Sequence, residues 1–215
     1  MKILVIAPHN DDEVLGVGGT IAKFVATGHE VTVCEVTSGD PVRWEMIVSE
    51  AHAAHKVLGV SRFECLHLPV VELRVTPTIE MNRKFERLIE EIQPNIVFIP
   101  HKGDMHSDHR ETANAAMVAL RPYRNPNLKA IYAYETLSET EWNTPSVDNA
   151  FIPDTWNDIT DYMNKKLDAM RCYKSQLSDF PNPRSLEAIE ALAKLRGSTV
   201  GFRYAESFMT IRHVL

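Results

Sequence analysis

The chain has 215 residues, 44% hydrophobic and 24% charged, with a formal net charge of −6 at neutral pH. That length suits a single domain spanning 1–215 whose core needs no staples, and the acidic balance argues against nucleic acid or an anionic membrane surface as the main partner. Three scattered cysteines (Cys34, Cys65 and Cys172) read as reduced thiols, and the apolar run from Ile3 to Ala7 is too short for a signal peptide or a membrane span, so a soluble, cytoplasmic protein is expected.

Ile3 to Ala7 is a continuous β-prone apolar run, the pattern of a strand covered on both faces. A helix is predicted from about Asp12 to Thr27, stopped by Gly28. Val31 to Val36 reads as a second buried strand, followed by a loop from Thr37 to Pro41. The next helix carries Ile47, Ala51, Ala54 and Leu58 on one face and ends at Gly59. A short strand is predicted from Phe63 to Leu68. Pro77 then suits the first turn of a helix that buries Met81, Phe85, Leu88, Ile89 and Ile92. Asn95 to Pro100 is another buried strand, and a helix follows Asp108 to about Leu120. Ala130 to Glu135 reads as a strand, Asp161 to Leu177 and Ser185 to Arg196 as amphipathic helices, and Ser207 to Ile211 as a last strand. The alternation of strand and helix predicts an α/β, Rossmann-like fold: a mostly parallel sheet with helices on both faces. The polar stretch from Ser138 to Trp156 reads as irregular structure; with the loop after Gly39, and with Trp142 and Trp156, it is a candidate substrate rim.

Two strand ends carry unusual residues. The first runs into His9-Asn10-Asp11-Asp12-Glu13, the other into a segment from His101 through Asp104 and His106 to Asp108 and His109. Ligands of open parallel sheets bind beyond the carboxyl ends of the strands, so the two segments can meet. Three consecutive carboxylates repel one another. A helix N-terminus offsets part of that cost, and a bound cation offsets far more. For the carboxylates alone an acidic helix cap is the simpler reading; His9 beside them and the second His/Asp cluster turn the balance towards a metal. Residues three apart on a strand-to-helix turn can face one point, which makes His9 and Asp12 co-ligands, with His109 as the third. Two imidazoles, one carboxylate and an open position suit a catalytic zinc ion, one per chain. Asp11 would then act as general base, and His106 as an oxyanion or leaving-group donor oriented and charged by Asp108. Asp104 is open between a turn residue, a carboxylate behind a ligand and a substrate contact. His101 reads as a loop residue, and His52 and His55 as a solvated helix face. Gly16, Gly18 and Gly19 lie too deep in the helix for a dinucleotide fingerprint and suit close helix–sheet packing.

These segments resemble the PIG-L (LmbE-like) family of zinc-dependent N-deacetylases. Pro8 to Glu13 followed by a glycine-rich helix is similar to its first motif, and His106-Ser107-Asp108-His109 to its second. Weaker similarities run on through Ser175-Gln176, Arg196-Gly197 and Tyr204 to Phe208. The resemblance implies hydrolysis of an N-acetyl group on a glucosamine-containing molecule. It also implies His9, Asp12 and His109 as zinc ligands, Asp11 as base, and His106 with Asp108 as stabiliser of the tetrahedral intermediate. The family includes homo-oligomers. Two positions depart from its pattern: Asn10 replaces the usual proline, and Ile47 stands where many members place a substrate-binding arginine, a role for which Arg43, one turn earlier, is the replacement candidate. The rival readings are hydrolysis of another amide or an ester, and a non-catalytic nucleotide-binding module.

Overall fold

The structure, a computed structural model, describes residues 1–39 and 42–215. Its frame is a seven-stranded sheet in the order β3-β2-β1-β4-β5-β7-β6. The parallel part comprises β1 (Lys2–Ala7), β2 (Glu30–Ser38), β3 (Arg62–Pro69), β4 (Ile96–Pro100) and β5 (Ala130–Tyr134). Helices α1 (Asp12–Ala26), α2 (Trp44–Leu58), α3 (Thr78–Ile92) and α4 (Ser107–Ala119) alternate with these strands. The tail contributes β6 (Thr155–Asp158), α5 (Met163–Met170), α6 (Leu186–Val200) and β7 (Ala205–His213).

Alternation along the strands decides which helix covers which face. Ile3 and Val5 of β1 point into one core with Leu15, Val17 and Ile21 of α1, Ala54 and Leu58 of α2, and residues of α5 and α6. Leu4 and Ile6 point the other way, into a second core with Phe85 and Ile89 of α3 and Ala116 of α4. Both faces of β1 are therefore dry, which is why its sequence is apolar without interruption. The approach of α1 to the sheet is close enough to need glycine: a Cβ on Gly16 would lie 2.2 Å from the Tyr134 ring, and one on Gly19 would lie 2.7 Å from Ile159. These glycines are filled against by side chains, so they offer no cradle for a pyrophosphate, and the nucleotide-binding reading loses its footing.

The far edge differs from the expectation. β7 runs antiparallel to β5, and β6, which the sequence reading placed in irregular structure, pairs antiparallel with β7. The helix expected from Asp161 to Leu177 is shorter: α5 stops at Met170 and turns follow, with the Tyr173 N–H bonded to the Met170 carbonyl. That stop drops the Tyr173 side chain into the core, where it is fully buried. Helix α6 runs beyond the predicted Arg196 to Val200 and starts from a Ser185 cap whose Oγ accepts the Ala188 N–H at 3.1 Å. Among the described residues no helix is long and apolar enough to cross a membrane.

What matters for the site is the middle of the sheet. β1 pairs with β2 on one side and β4 on the other, so the chain reverses its direction of winding between β1 and β4. The carboxyl ends of these two neighbours open the crevice where ligands of such sheets bind.

Candidate active site

Between the end of β1 and the start of α1 the chain has four residues, Pro8 to Asp11, in which to turn. Asp11 carries the strain, with φ 100° and ψ −27°, a left-handed backbone that costs a non-glycine residue on the order of 1–3 kcal/mol. Its carbonyl accepts the N–H groups of Val14 and Leu15, and its own N–H donates to Glu13 Oε2 at 3.1 Å. The His9 N–H donates to Asp12 Oδ2 at 2.9 Å, which turns the Asp12 carboxylate back over the turn.

The second segment follows β4. His106 caps α4, its Nδ1 accepting the Asp108 N–H at 3.1 Å. That bond places the ring's proton on Nε2, as assigned from the hydrogen-bond network. The Asp108 carboxylate accepts the backbone N–H groups of Val71 (2.7 Å) and Leu73 (3.3 Å) and lies 3.1 Å from His9 Nε2. Val71 is itself left-handed, φ 67°, so the loop after β3 is strained into this contact. His109 is wholly buried. Its Nδ1 lies 2.8 Å from Asp104 Oδ2, and the other Asp104 oxygen accepts the Thr140 hydroxyl at 2.6 Å.

One observation marks the centre. His109 Nε2 lies 3.2 Å from Asp12 Oδ2 without the alignment of a hydrogen bond, and both it and Asp12 Oδ1 are buried without a hydrogen-bond partner. Donor atoms of His9, Asp12 and His109 lie within 4.8 Å of one another. Buried polar atoms left unpaired are costly and rare; converging two imidazoles and a carboxylate on one point is the arrangement a divalent cation satisfies. Asp104 behind His109, and Asp108 behind His9, are carboxylates of the kind that fix the ring orientation of metal-binding histidines.

The electrostatics match that geometry. Burial would pull the His109 imidazole down, but the carboxylates of Asp12 and Asp104 on either side raise it to about 10. Burial pushes the Asp12 carboxyl up, and His109 and His9 outweigh it, holding Asp12 well below the usual range. Asp11 is driven up to about 8 by burial, against the pull of Arg184 and with the push of Asp12 and Glu13. His106 is lowered to about 4, first by burial and then by His9. A buried carboxyl with raised proton affinity therefore lies beside a neutral imidazole: once a cation's charge holds the carboxyl ionised, the cleft offers a proton acceptor and an N–H donor.

Above the cluster is a cavity of about 230 Å³, lined among others by His9, Asp11, Ile47, His106, Glu139 and Arg184. A larger cavity of about 400 Å³ lies behind the turn after β5, between Leu137, Phe151, Leu192 and Arg196. It contains none of the converging donors, so the chemistry belongs to the smaller one.

Residues 4–120 match the family described as PIG-L: GlcNAc-PI de-N-acetylase. This chain belongs to the PIG-L family. A diacetylchitobiose deacetylase from Thermococcus kodakarensis is 27% identical over 95% of this chain and 81% of its own length. Among solved structures, the conserved protein TT1542 from Thermus thermophilus superposes with a TM-score of 0.80 at 28% identity, covering 99% of this chain and 96% of that one. The N,N'-diacetylchitobiose deacetylase from Pyrococcus horikoshii superposes with a TM-score of 0.77 at 26% identity over 98% of this chain and 84% of that one.

In this PIG-L chain the structure brings His9, Asp11, Asp12, His106, Asp108 and His109 into one cluster. Four expectations need correction. Asp104 is not a substrate contact: it is fully buried with both oxygens occupied by His109 and Thr140. Arg43 lies exposed at the start of α2, outside the cavity lining; the guanidinium that reaches the site is that of Arg184, 3.0 Å from Asp11 Oδ2. Asp108 does not charge His106, since its Oδ2 is 3.9 Å from His106 Nδ1 and is committed to Val71 and His9. Trp142 is exposed and Trp156 lies on β6, and neither lines this cavity, whereas Glu139 from the same stretch does. Positions 40 and 41 of the expected rim lie outside the described residues.

Sequence reading also missed His55. It is buried, with Nε2 3.2 Å from Glu13 Oε1, while His52 is exposed with its ring edge on Phe63. The signal was present: position 55 lies with 51, 54 and 58 on the apolar stripe of α2. His101, read as a loop residue, has its Nε2 3.0 Å from the Asn149 carbonyl.

Proposed function

We propose that this protein is a zinc-dependent N-deacetylase that removes the acetyl group from an N-acetylated amino sugar, with one zinc ion per chain held by His9, Asp12 and His109. The observation that carries this reading is the pair of buried, unpartnered atoms, His109 Nε2 and Asp12 Oδ1, beside His9 at the floor of an open cavity. The two related diacetylchitobiose deacetylases, from T. kodakarensis and P. horikoshii, supply the substrate class.

A divalent ion held by His9, Asp12 and His109 would supply Lewis acidity for the acetamide oxygen and would lower the pKa of water towards about 7. The chain's own groups do the rest. Asp11 presents a buried Oδ1 with no hydrogen-bond partner; with a cation's charge and the Arg184 guanidinium holding it ionised against burial, it takes the proton of the attacking water. His106, neutral at pH 7, donates its Nε2–H to the oxygen that becomes negative as the carbonyl carbon turns tetrahedral. Asp11, now protonated, delivers that proton to the nitrogen as the C–N bond breaks. Acetate and a free amine result, and one water is consumed. Arg184 holds the other Asp11 oxygen, Oδ2, and so helps to aim the base into the cavity.

The cavity is smaller than the roughly 300–1,000 Å³ of pockets that enclose a drug-sized ligand. It admits one sugar ring and leaves the remainder of a longer substrate outside. The lining sets the carboxyls of Asp11 and Glu139 against the Arg184 guanidinium, a balance of polar groups that suits an uncharged acetamido sugar. The test is acetate release from a panel of N-acetylated mono- and disaccharides, with and without prior chelation. We expect release that chelation abolishes and zinc restores; acetate from none of the panel beside hydrolysis of simple esters would replace the amide reading by an esterase.

A further inference from the structure

Glu13 has no part in the mechanism above, yet it is among the most tightly held side chains in the protein. It is fully buried. Its Oε1 accepts the Tyr173 hydroxyl at 2.5 Å and lies 3.2 Å from His55 Nε2. Its Oε2 accepts the backbone N–H of Asp11 at 3.1 Å, two residues back along the chain. A carboxylate in the first turn of a helix ordinarily serves the free N–H groups of that turn or the helix dipole. Glu13 reaches back to the N–H of the N-cap residue itself, as the acid of a capping box does, while its other oxygen is held from the core by Tyr173 and His55.

That donor belongs to the left-handed residue of the turn. At φ 100° the Asp11 peptide is held against its own preference, and an aspartate released from that conformation returns to a right-handed or extended one. Such a rotation moves Cβ and swings the carboxylate away from the cavity and from Arg184. The metal ligands have independent supports: Asp12 is held by the His9 N–H, His9 by Asp108, and His109 by Asp104. Losing the Glu13 contact therefore displaces the base and leaves the ligand set in place.

We propose that Glu13 is the positioning residue of the general base, locking the Asp11 peptide in its left-handed conformation while Tyr173 and His55 lock Glu13. The proposal rests on Asp11 being the base. Donor atoms of Glu13, Glu35 and His55 also lie within 4.8 Å of one another, so the experiment must separate a positioning role from a second cation site.

The experiment compares wild type with Asp11→Asn, Glu13→Ala, Glu13→Gln and Tyr173→Phe as zinc-loaded proteins, reading kcat and KM for acetate release, and metal per chain. A displacement of about 1 Å at a reacting group costs on the order of 10²-fold in rate. We expect Glu13→Ala to lose about that factor in kcat, with KM within about twofold and zinc unchanged. Glu13→Gln keeps an oxygen that can accept the Asp11 N–H and should recover most of the rate. Tyr173→Phe, which leaves the Glu13 side chain intact, should lower kcat several-fold at constant KM, and it decides the matter should Glu13→Ala not fold. Wild-type kcat in Glu13→Ala or, where that variant does not fold, in Tyr173→Phe would overturn the proposal. So would a Glu13→Gln enzyme as impaired as Glu13→Ala, or a second cation present in wild type and absent from Glu13→Ala. An active Asp11→Asn would instead overturn the base assignment, which is distinguishable from a dead Asp11→Asn beside a fully active Glu13→Ala.

Discussion

Asp104→Ala separates two roles for one carboxylate. Asp104 is buried behind His109, 2.8 Å from its Nδ1, and also takes the Thr140 hydroxyl at 2.6 Å. Truncation leaves the His109 ring free to turn and removes the negative charge that makes its far nitrogen a better ligand. Losing such a carboxylate typically weakens metal binding by about 10–100-fold, which is about 1.4–2.7 kcal/mol of binding free energy. It also strands the buried donor His109 Nδ1, at about 1–3 kcal/mol in folding stability, and frees the half-buried Thr140 hydroxyl at a smaller cost. The assay is competition for zinc against a chelator of known affinity, followed by acetate release at rising free zinc. The variant should need about 10–100 times more zinc for half-maximal activity and then show nearly the wild-type KM for the sugar. Unchanged zinc affinity with a raised KM would refute the reasoning and return Asp104 to the substrate side of the site.

Three further outcomes follow from the same structure. In metal-free protein, His109 (raised from 6.5 to about 10) and Asp11 (raised from 3.8 to about 8) both bind protons more tightly folded than unfolded. The His109 contribution is therefore complete below about pH 6.5 and lost as pH rises to about 10, and the buried Asp11 carboxyl destabilises increasingly between about pH 4 and 8. Urea midpoints measured in EDTA should fall from pH 6 to 10, and a rising midpoint would contradict this. Arg184→Met should keep its zinc, because Arg184 contacts Asp11 Oδ2 and none of the three ligands, but lose at least about tenfold in kcat/KM by freeing the base to rotate; full activity in steady-state assays would exclude Arg184 from the site. Lys166→Met breaks a buried ion pair, Lys166 Nζ to Glu206 Oε1 at 2.6 Å, and strands a carboxylate that then holds only the N–H groups of Gly19 and Thr20. Denaturant titration should show a loss of about 3–5 kcal/mol, and a loss below about 1 kcal/mol would mean that the pair is solvated.

Much of this was legible in the sequence because one physical cause dominated locally. Strands β1, β4 and β5 stand out since burial on both faces demands nearly uninterrupted apolar residues. Helix α3 stands out because its stripe from Met81 to Ile92 is amphipathic. The metal cluster stands out because acidic residues adjoin histidine at two strand ends, and the topology of a parallel sheet brings those ends together. The features that escaped depend on contacts distant in sequence. β6 is four residues, Thr155–Asp158, half-buried throughout, and its strand character comes from pairing with β7 about fifty residues later. Arg184 sits in a proline-containing loop just before the Ser185 cap; that cap was readable, but the direction of the preceding guanidinium depends on Ser138, Gln176 and Asp11 meeting it. Asn10 departs from the family proline, and its amide donates to the buried Glu35 carboxylate, a partner on β2 that no local pattern announces. Asp108 turns its carboxylate from His106 to His9 because the strained loop at Val71 claims it, and Asp104 takes the place behind His109, one of the roles left open for it, because the turn at Thr140 secures it.

The division of labour proposed within one acidic turn is that His9 and Asp12 hold the ion while Asp11 between them does not. Zinc per chain, measured on purified wild type, Asp11→Asn, Asp12→Asn and His109→Ala after loading with zinc, tests it directly. The account predicts one zinc in wild type and in a catalytically dead Asp11→Asn, and well below one in Asp12→Asn and His109→Ala. Loss of zinc from Asp11→Asn, or its full retention in Asp12→Asn, would contradict it.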